Sequence, residues 1–248
     1  EIVVGGKIPY AEHGIFLSNK DRDFRAAYFK NRIDNFEMMA HHLDFIWCLY
    51  ERTVPEYRGK CPVVEYWPLG HIQTLPQELR RSPKDLDVVF FGTSTPHRLQ
   101  TIDMLRKRGI AVVAGGGGWP RGRLASCEVD SLLDRAKIGL NLTLHAEHQR
   151  ADAADPRFES PSRLPEMLER EVCVVSEGIP INNAFSRYMI EAPIDQLAEK
   201  CRDLLNGDKW RMVGLEAARK YREEMDAIRI GKPMIDRTIA ALKAKYSI

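Results

Sequence analysis

The chain has 248 residues, 44% of them hydrophobic, which is enough for one large domain or two small ones. Its 37 basic and 35 acidic side chains leave a formal net charge of +2, and this balance gives no general reason to expect nucleic acid as a partner. No apolar run approaches the roughly 18 residues that a membrane span needs. The five cysteines form no C-x-x-C pattern, so we expect a reducing, cytoplasmic setting.

The first 80 residues contain short apolar runs separated by polar loops. Residues 21–43 carry apolar side chains at close to helical spacing, and the runs 44–50 and 62–67 are typical of buried strands. The polar segment 73–85 contains two prolines and several charges, which favours a linker. We therefore predict a short first domain over residues 1–80.

After residue 85, apolar runs of strand length alternate with segments of helical periodicity. This succession is typical of an α/β parallel sheet with right-handed crossovers, wound as in a Rossmann domain. We predict a second domain over residues 86–207 and C-terminal helices over 208–248. The predicted strands are 86–91, 110–114, 138–144, 172–175 and a weaker 188–191, and the predicted helices are 96–108, 128–136, 161–170, 194–205, 209–225 and 235–245.

Two glycine-containing turns follow predicted strands, at the edge where open parallel sheets bind ligands. The turn Gly92-Thr93-Ser94-Thr95 offers close backbone approach and three hydroxyls, either to a ligand or as a cap for the next helix. The four glycines 115–118 do not form G-x-G-x-x-G, so the nicotinamide-type fingerprint is absent. They form either a flexible turn beside a ligand or a structural loop.

A third polar segment follows the predicted strand 138–144 and contains His145, His148 and Arg150. The His-x-x-His spacing, with Glu147 beside it, resembles half of a metal site. Zinc sites usually show three or four convergent ligands in a tighter frame, so we predict no metal here. His145 is instead a candidate for contact with an anionic ligand, and a solvated loop is the alternative.

Arg163 and Glu166 are spaced i, i+3 and share one face of the first turn of a predicted helix, next to Ser162. As a structural pair they would stabilise the helix by at most about 0.5 kcal/mol. As a functional pair, Arg163 would neutralise a phosphate while Glu166 accepts hydrogen bonds from two ribose hydroxyls. The other polar segments lie on the same side of the predicted sheet, which favours the functional reading.

Four runs resemble the C-terminal domain of GT-B glycosyltransferases. Glu166–Val175 has the spacing of the E-x-x-x-x-G-x-x-V-V run of those proteins, with Glu171 where glycine is usual. Arg163-Leu-Pro-Glu166 is similar to the R-x-x-E form of the bacterial branch that contains spore-maturation-type glycosyltransferases. Asp87–Gly92 and Ala136–Asn141 resemble the strand–glycine turn and the "AKIxLN" strand of that branch.

The resemblance covers about residues 86–207 and implies an enzyme of bacterial polysaccharide biosynthesis. Such enzymes transfer a sugar from a nucleotide-diphosphate donor to a hydroxyl of a saccharide or other acceptor, without a permanent cofactor or a bound metal. The resemblance also implies two Rossmann-like domains. The N-terminal, acceptor-side domain would be short, and the C-terminal helices would cross back onto it.

The resemblance assigns roles to individual residues. Glu166 would hold the donor ribose and Arg163 the diphosphate, whereas Glu159 is the nearest match to the first glutamate of the E-x7-E pattern of retaining members, one residue short. In inverting members a base of the N-terminal domain deprotonates the acceptor, and the candidates are His13, Asp21 and Asp23. The predicted donor-binding residues are Gly92, Thr93, Ser94, His145, Ser162, Arg163 and Glu166.

Two other readings of the sequence remain. A non-catalytic module on the same fold would explain the short first domain and Glu171, and would bind a nucleotide or sugar without transferring it. Another doubly wound protein, such as an epimerase-like or response-regulator-like domain, would share the strand pattern. A response regulator needs an acidic cluster at its first strand ends, and Asp87 alone does not supply one.

Overall fold

The protein divides into two compact units in the computed structural model. The first unit is Glu1–Pro68 together with Ile228–Ile248, and the second is Leu69–Ala227. The structure describes residues 31, 34–40, 42–48, 54–67, 83–143, 163–177 and 185–246.

The second unit is built on a five-stranded parallel sheet, which confirms the predicted α/β fold class. Its strands lie in the order β4 (Val112–Gly115), β3 (Leu86–Phe91), β5 (Ala136–Asn141), β6 (Cys173–Glu177) and β7 (Ile190–Ala192), so β3 lies between the next two strands of the chain. A reversal of this kind opens a crevice beyond the carboxyl ends of β3 and β5.

Helices cover this sheet, so its strands are apolar on both faces rather than alternating. Val88, Phe90 and Ile138 are fully buried, and they pack in one core with Ile102 and Leu105. A Leu→Ala change in such a core typically costs about 2–5 kcal/mol. The helices are α3 (Pro96–Lys107), α4 (Ser126–Asp134), α5 (Arg163–Glu169), α6 (Leu197–Leu205) and α7 (Lys209–Glu224).

Two of these helices end in the same hydrogen-bonded motif, with a left-handed residue just beyond the last turn. After α3 this residue is Gly109, with φ +81°, and the amide of Ile110 donates back to the carbonyl of Leu105. After α5 it is Glu171, with φ +56°, and the amide of Val172 donates back to Met167. Glycine is the usual residue at this position because it has no Cβ. The glutamate that departs from the family pattern therefore occupies a backbone conformation suited to glycine.

The first unit contains a smaller parallel pair, β1 (Phe45–Cys48) and β2 (Val63–Tyr66). Residues 34–40 form helix α1, and Val54–Tyr57 form the short helix α2. The last helix, α8 (Ala227–Tyr246), starts eight residues before the predicted residue 235 and contains Pro233. Within the described helices, none is long and apolar enough to cross a membrane.

Gly231, near the start of α8, brings this helix close to an aromatic side chain of the first unit. A Cβ atom on Gly231 would lie 3.0 Å from the Trp67 ring, so a larger residue would push the helix away. The indole of Trp47 donates to the Thr238 hydroxyl at 3.3 Å. The glycine and the proline at 233 interrupt the apolar periodicity, and this is why the sequence pattern missed these two turns.

Candidate functional site

The candidate site lies at the crevice beyond the carboxyl ends of β3 and β5. Gly92 follows β3 with φ +145°, a backbone conformation that favours glycine. A Cβ atom here would lie 3.3 Å from Arg163 Nη2 and 3.6 Å from Arg98 Nη1. The missing side chain therefore leaves a small notch that is flanked by two guanidinium groups, which we call the Gly92 notch.

The four-glycine segment packs directly against this turn. The amide of Gly92 donates to the Gly115 carbonyl at 3.0 Å, and the amide of Ser94 donates to the Gly117 carbonyl at 2.8 Å. A side chain on Gly116 would overlap the Gly92 carbonyl, and one on Gly118 would overlap the Ser94 hydroxyl. Close backbone packing thus accounts for these glycines, which favours the structural alternative of the two left open by the sequence.

Arg98, in the first turn of α3, crosses the crevice. Its side chain is 2% exposed, and Nη1 donates to the Thr93 carbonyl at 2.9 Å on the β3 side. On the β5 side, Nε donates to the Thr143 carbonyl and Nη2 to the Leu142 carbonyl, both at 2.8 Å. Burial, reinforced by the charge of Arg163, lowers the Arg98 pKa to about 9. The guanidinium is therefore still charged at neutral pH and ties the two strand-end loops together.

Arg163, the first residue of α5, approaches the same loop from the other side. Its Nη1 donates to the Leu142 carbonyl at 3.2 Å, the same carbonyl that Arg98 uses. Burial lowers the Arg163 pKa to about 10, and the charges of Glu177 and Glu166 oppose that effect. This geometry places Arg163 Nη2 at the notch, since Nη1 is held by the β5 loop.

Glu177, the last residue of β6, supplies the negative charge of this cluster. It is fully buried and accepts a hydrogen bond from the Thr143 amide. Its Oε2 lies 2.8 Å from Nε2 of His97, which is 8% exposed. The carboxylate therefore joins the end of β6 to the β5 loop and to the first turn of α3.

The buried charges of these described side chains do not cancel. Arg98 and Arg163 contribute two positive charges and Glu177 one negative charge, so these three side chains carry a net charge of +1. A buried charge is costly unless a partner neutralises it. An anionic group at the Gly92 notch would supply that partner.

Glu166 lies one turn beyond Arg163 on α5 and is exposed. Partial desolvation raises its pKa, while the positive charge of Arg170 opposes the shift. Arg170 itself forms ion pairs with Asp130 and Asp134. An exposed carboxylate on the same helix face as Arg163 can accept hydrogen bonds from the hydroxyls of a ligand whose anionic group lies at the notch.

Comparisons with solved structures agree with this architecture. The chain is similar to TarM, with a TM-score of 0.58, 13% identity and coverage of 85% of this chain and 46% of TarM. It is also similar to Anabaena HepE in complex with UDP and glucose, with a TM-score of 0.56, 10% identity and coverage of 84% of this chain and 66% of HepE. A third similar structure is a variant of TarM from S. aureus in complex with fondaparinux, alpha-GlcNAc-glycerol and UDP. Its TM-score is 0.55 at 14% identity, with coverage of 85% of this chain and 47% of the TarM variant.

The chain has a GT-B glycosyltransferase fold. This confirms the fold that the sequence resemblance implied. The chain spans about half the length of TarM, and at these identities the likeness concerns the fold alone. No protein-family model matches the sequence, and no curated protein matches it.

On the GT-B fold, the structure brings part of the predicted donor site together. Arg163 lies beside Gly92 at the notch, and Arg98 donates to the Thr93 carbonyl of the same turn. The amide of Ser94 donates to the four-glycine segment. The guanidinium of Arg163 contacts Leu142 and not its helix neighbour Glu166, so the simple intrahelical ion pair does not describe it. The predicted residues that lie outside the described residues, and so stay predictions, are His13, Asp21, Asp23, His145, His148, Glu159 and Ser162.

The sequence reasoning missed Arg98, His97 and Glu177 as members of the site. A signal existed for Arg98, because a cation in the first turn of a helix opposes the helix dipole and needs another reason to be there. Glu177 also stood out as a charge at the end of an apolar strand. Within the described ranges, no cluster of three or more His, Cys, Asp or Glu side chains could hold a metal ion.

Proposed function

We propose that this GT-B chain transfers a sugar from a nucleoside-diphosphate donor to a hydroxyl of an acceptor, a saccharide or another alcohol. The observation that carries the proposal is the Gly92 notch, which two guanidinium groups flank at the point where the strand order reverses. HepE was solved with UDP and glucose and the TarM variant with UDP and saccharide ligands, which supports a nucleotide-sugar donor. The resemblance supports a role in bacterial polysaccharide biosynthesis, and the cysteine usage supports a cytoplasmic setting.

The proposed donor lies with its diphosphate between the Gly92–Thr95 turn and the start of α5. Arg163 Nη2 would donate to a phosphate oxygen at the notch, and Glu166 would accept from the ribose hydroxyls. We propose no bound metal at the diphosphate, as the resemblance to GT-B glycosyltransferases implies. No permanent cofactor takes part.

The chemical step breaks the bond between the sugar C1 and the diphosphate oxygen, and the acceptor oxygen forms a new bond to C1. Negative charge grows on the departing diphosphate, and the two arginines stabilise it electrostatically because the surrounding loops already hold them in place. A base accepts the acceptor proton, and its candidates from the sequence are His13, Asp21 and Asp23. Glu159 is a further catalytic candidate, as the nearest match to the first glutamate of the E-x7-E pattern.

The alternative is a GT-B module that binds a nucleotide or a sugar without transferring it. The described strands of the chain's first unit form a two-stranded sheet, smaller than the sheet of the second unit, and this favours the alternative. Glu171 does not favour the non-catalytic module, because the structure accommodates this glutamate in a left-handed conformation, with its side chain paired with Arg222.

Two measurements decide between these functions. Isothermal titration calorimetry with UDP, GDP and TDP, each compared with its monophosphate, tests the donor site. Mass spectrometry of reactions with a panel of nucleotide sugars, with and without simple saccharide acceptors, tests transfer and donor hydrolysis. Binding with turnover supports the transferase, and binding without turnover supports the module. Failure of every diphosphate to bind at saturating concentration would reject both.

A further inference from the structure

A buried aromatic ring contacts both arginines of the candidate site. Phe90, the fifth residue of β3, is fully buried, and its ring centroid lies 5.3 Å from the guanidinium carbon of Arg98 and 5.3 Å from that of Arg163. Trp119 packs edge-on against the ring with centroids 5.8 Å apart. The Trp119 indole donates to the Gly92 carbonyl at 2.8 Å. The ring is therefore fixed by a neighbour that also holds the notch.

Two like charges this close together need something that keeps them in place. Burial lowers the pKa of Arg98 and the charge of Arg163 lowers it further, and both guanidinium groups share the Leu142 carbonyl. The face of an aromatic ring carries negative potential and attracts a cation within about 6 Å, most strongly where water is excluded. An aliphatic side chain of similar size at position 90 would fill the volume but would not attract either group.

We infer that Phe90 is a positioning residue of the donor site, because its ring holds both guanidinium groups at the Gly92 notch before the diphosphate arrives. The inference rests on the proposed function. Long side chains that are already ordered lose little conformational freedom when a ligand binds. The affinity for a nucleoside diphosphate should therefore depend on the electrostatic potential of this ring and not only on its volume.

A fluorination series at Phe90 in the full chain tests this directly. 4-Fluoro-, 3,5-difluoro- and 3,4,5-trifluorophenylalanine progressively weaken the negative face of the ring while nearly keeping its shape. We expect the Kd for UDP to rise at each step and to reach roughly tenfold for the trifluoro ring. The matched control is the same series at Phe185, which is 2% exposed and packs against the rings of Tyr188 and Tyr221.

A stepwise loss of affinity at position 90, with none at 185, supports the inference. An unchanged Kd across the series at 90, or equal losses in both series, overturns it, since packing alone would then explain the ring. A double-mutant cycle of trifluorophenylalanine at 90 with Arg163→Met, read by urea unfolding without nucleotide, gives a second test. Coupling between the two sites supports the contact and its absence refutes it. If unmodified protein binds no UDP, the proposed function fails, whereas this cycle still decides on Phe90.

Discussion

Replacing Gly92 by alanine tests the notch with the smallest possible change. The new methyl group would lie 3.3 Å from Arg163 Nη2, so it would fill the notch that we assign to the phosphate and press on the guanidinium. Loss of a charged hydrogen bond costs about 1.5–3 kcal/mol, so the affinity for UDP should fall by about 10- to 150-fold. The backbone at φ +145° adds about 1–3 kcal/mol of destabilisation.

The control for this change is Gly122→Ala in the same unit. Gly122 also has a positive φ, +72°, but a Cβ atom there has no neighbour within 4 Å. Both variants should therefore lose stability in urea unfolding, while only Gly92→Ala should lose affinity in calorimetry. Equal affinities of the two variants for UDP would show that the notch and its arginine do not contact the ligand.

Three further changes test the site and its supports. Arg163→Ala should weaken UDP binding by about 1.5–3 kcal/mol in calorimetry, whereas Arg106→Ala, in the last turn of α3, should not; an unchanged affinity in the first variant removes the assignment of Arg163. Glu171→Gly should be more stable to urea than Glu171→Ala by about 1 kcal/mol, because both lose the ion pair to Arg222 and only alanine keeps the left-handed strain; equal stabilities would contradict that strain. Since the pKa of Glu166 is raised and its ionised form accepts the ribose hydroxyls, UDP affinity should fall as the pH drops through that pKa. Glu166→Gln should remove this step from the pH profile, and a profile identical to that of the unmodified protein would exclude the role of Glu166.

The second unit was largely predictable because its strands are buried on both faces. Continuous apolar runs such as 86–91 mark such strands without ambiguity, and the helices between them carry clear periodicity. The predicted helix and strand boundaries were wrong where the backbone geometry differs from what the side-chain pattern indicates. Residue 188, where the pattern indicated the start of a strand, lies in the 3-10 turn 186–188, and residues 194–196 form another where the pattern indicated a regular helix. Helix α8 was predicted too short because Gly231 and Pro233 break the apolar pattern without breaking the helix.

Only part of the candidate site could be predicted from the sequence, because several of its contacts join residues that are far apart in sequence. Gly92 and Arg163 could be found because they occupy strand ends or helix starts, where a parallel sheet places its ligands. Arg98 and Glu177 act through backbone groups of Thr143, 45 and 34 positions away in sequence, and a local pattern cannot show such pairs. Phe90 has the sequence pattern of an ordinary core residue, because that pattern does not show the two guanidinium groups beside its ring.

The hydrogen bonds of the two arginines suggest that they have different roles. A guanidinium carries five N–H donors. Arg98 directs three of its nitrogens to the carbonyls of Thr93, Leu142 and Thr143, so most of its capacity goes to fixing the loops. Arg163 uses Nη1 on Leu142, and its Nη2 lies at the Gly92 notch. Arg98 therefore fixes the loops of the site, and Arg163 is the group that can bind an anion. The first role supports the second, because rigid loops hold Arg163 at a fixed position relative to the diphosphate.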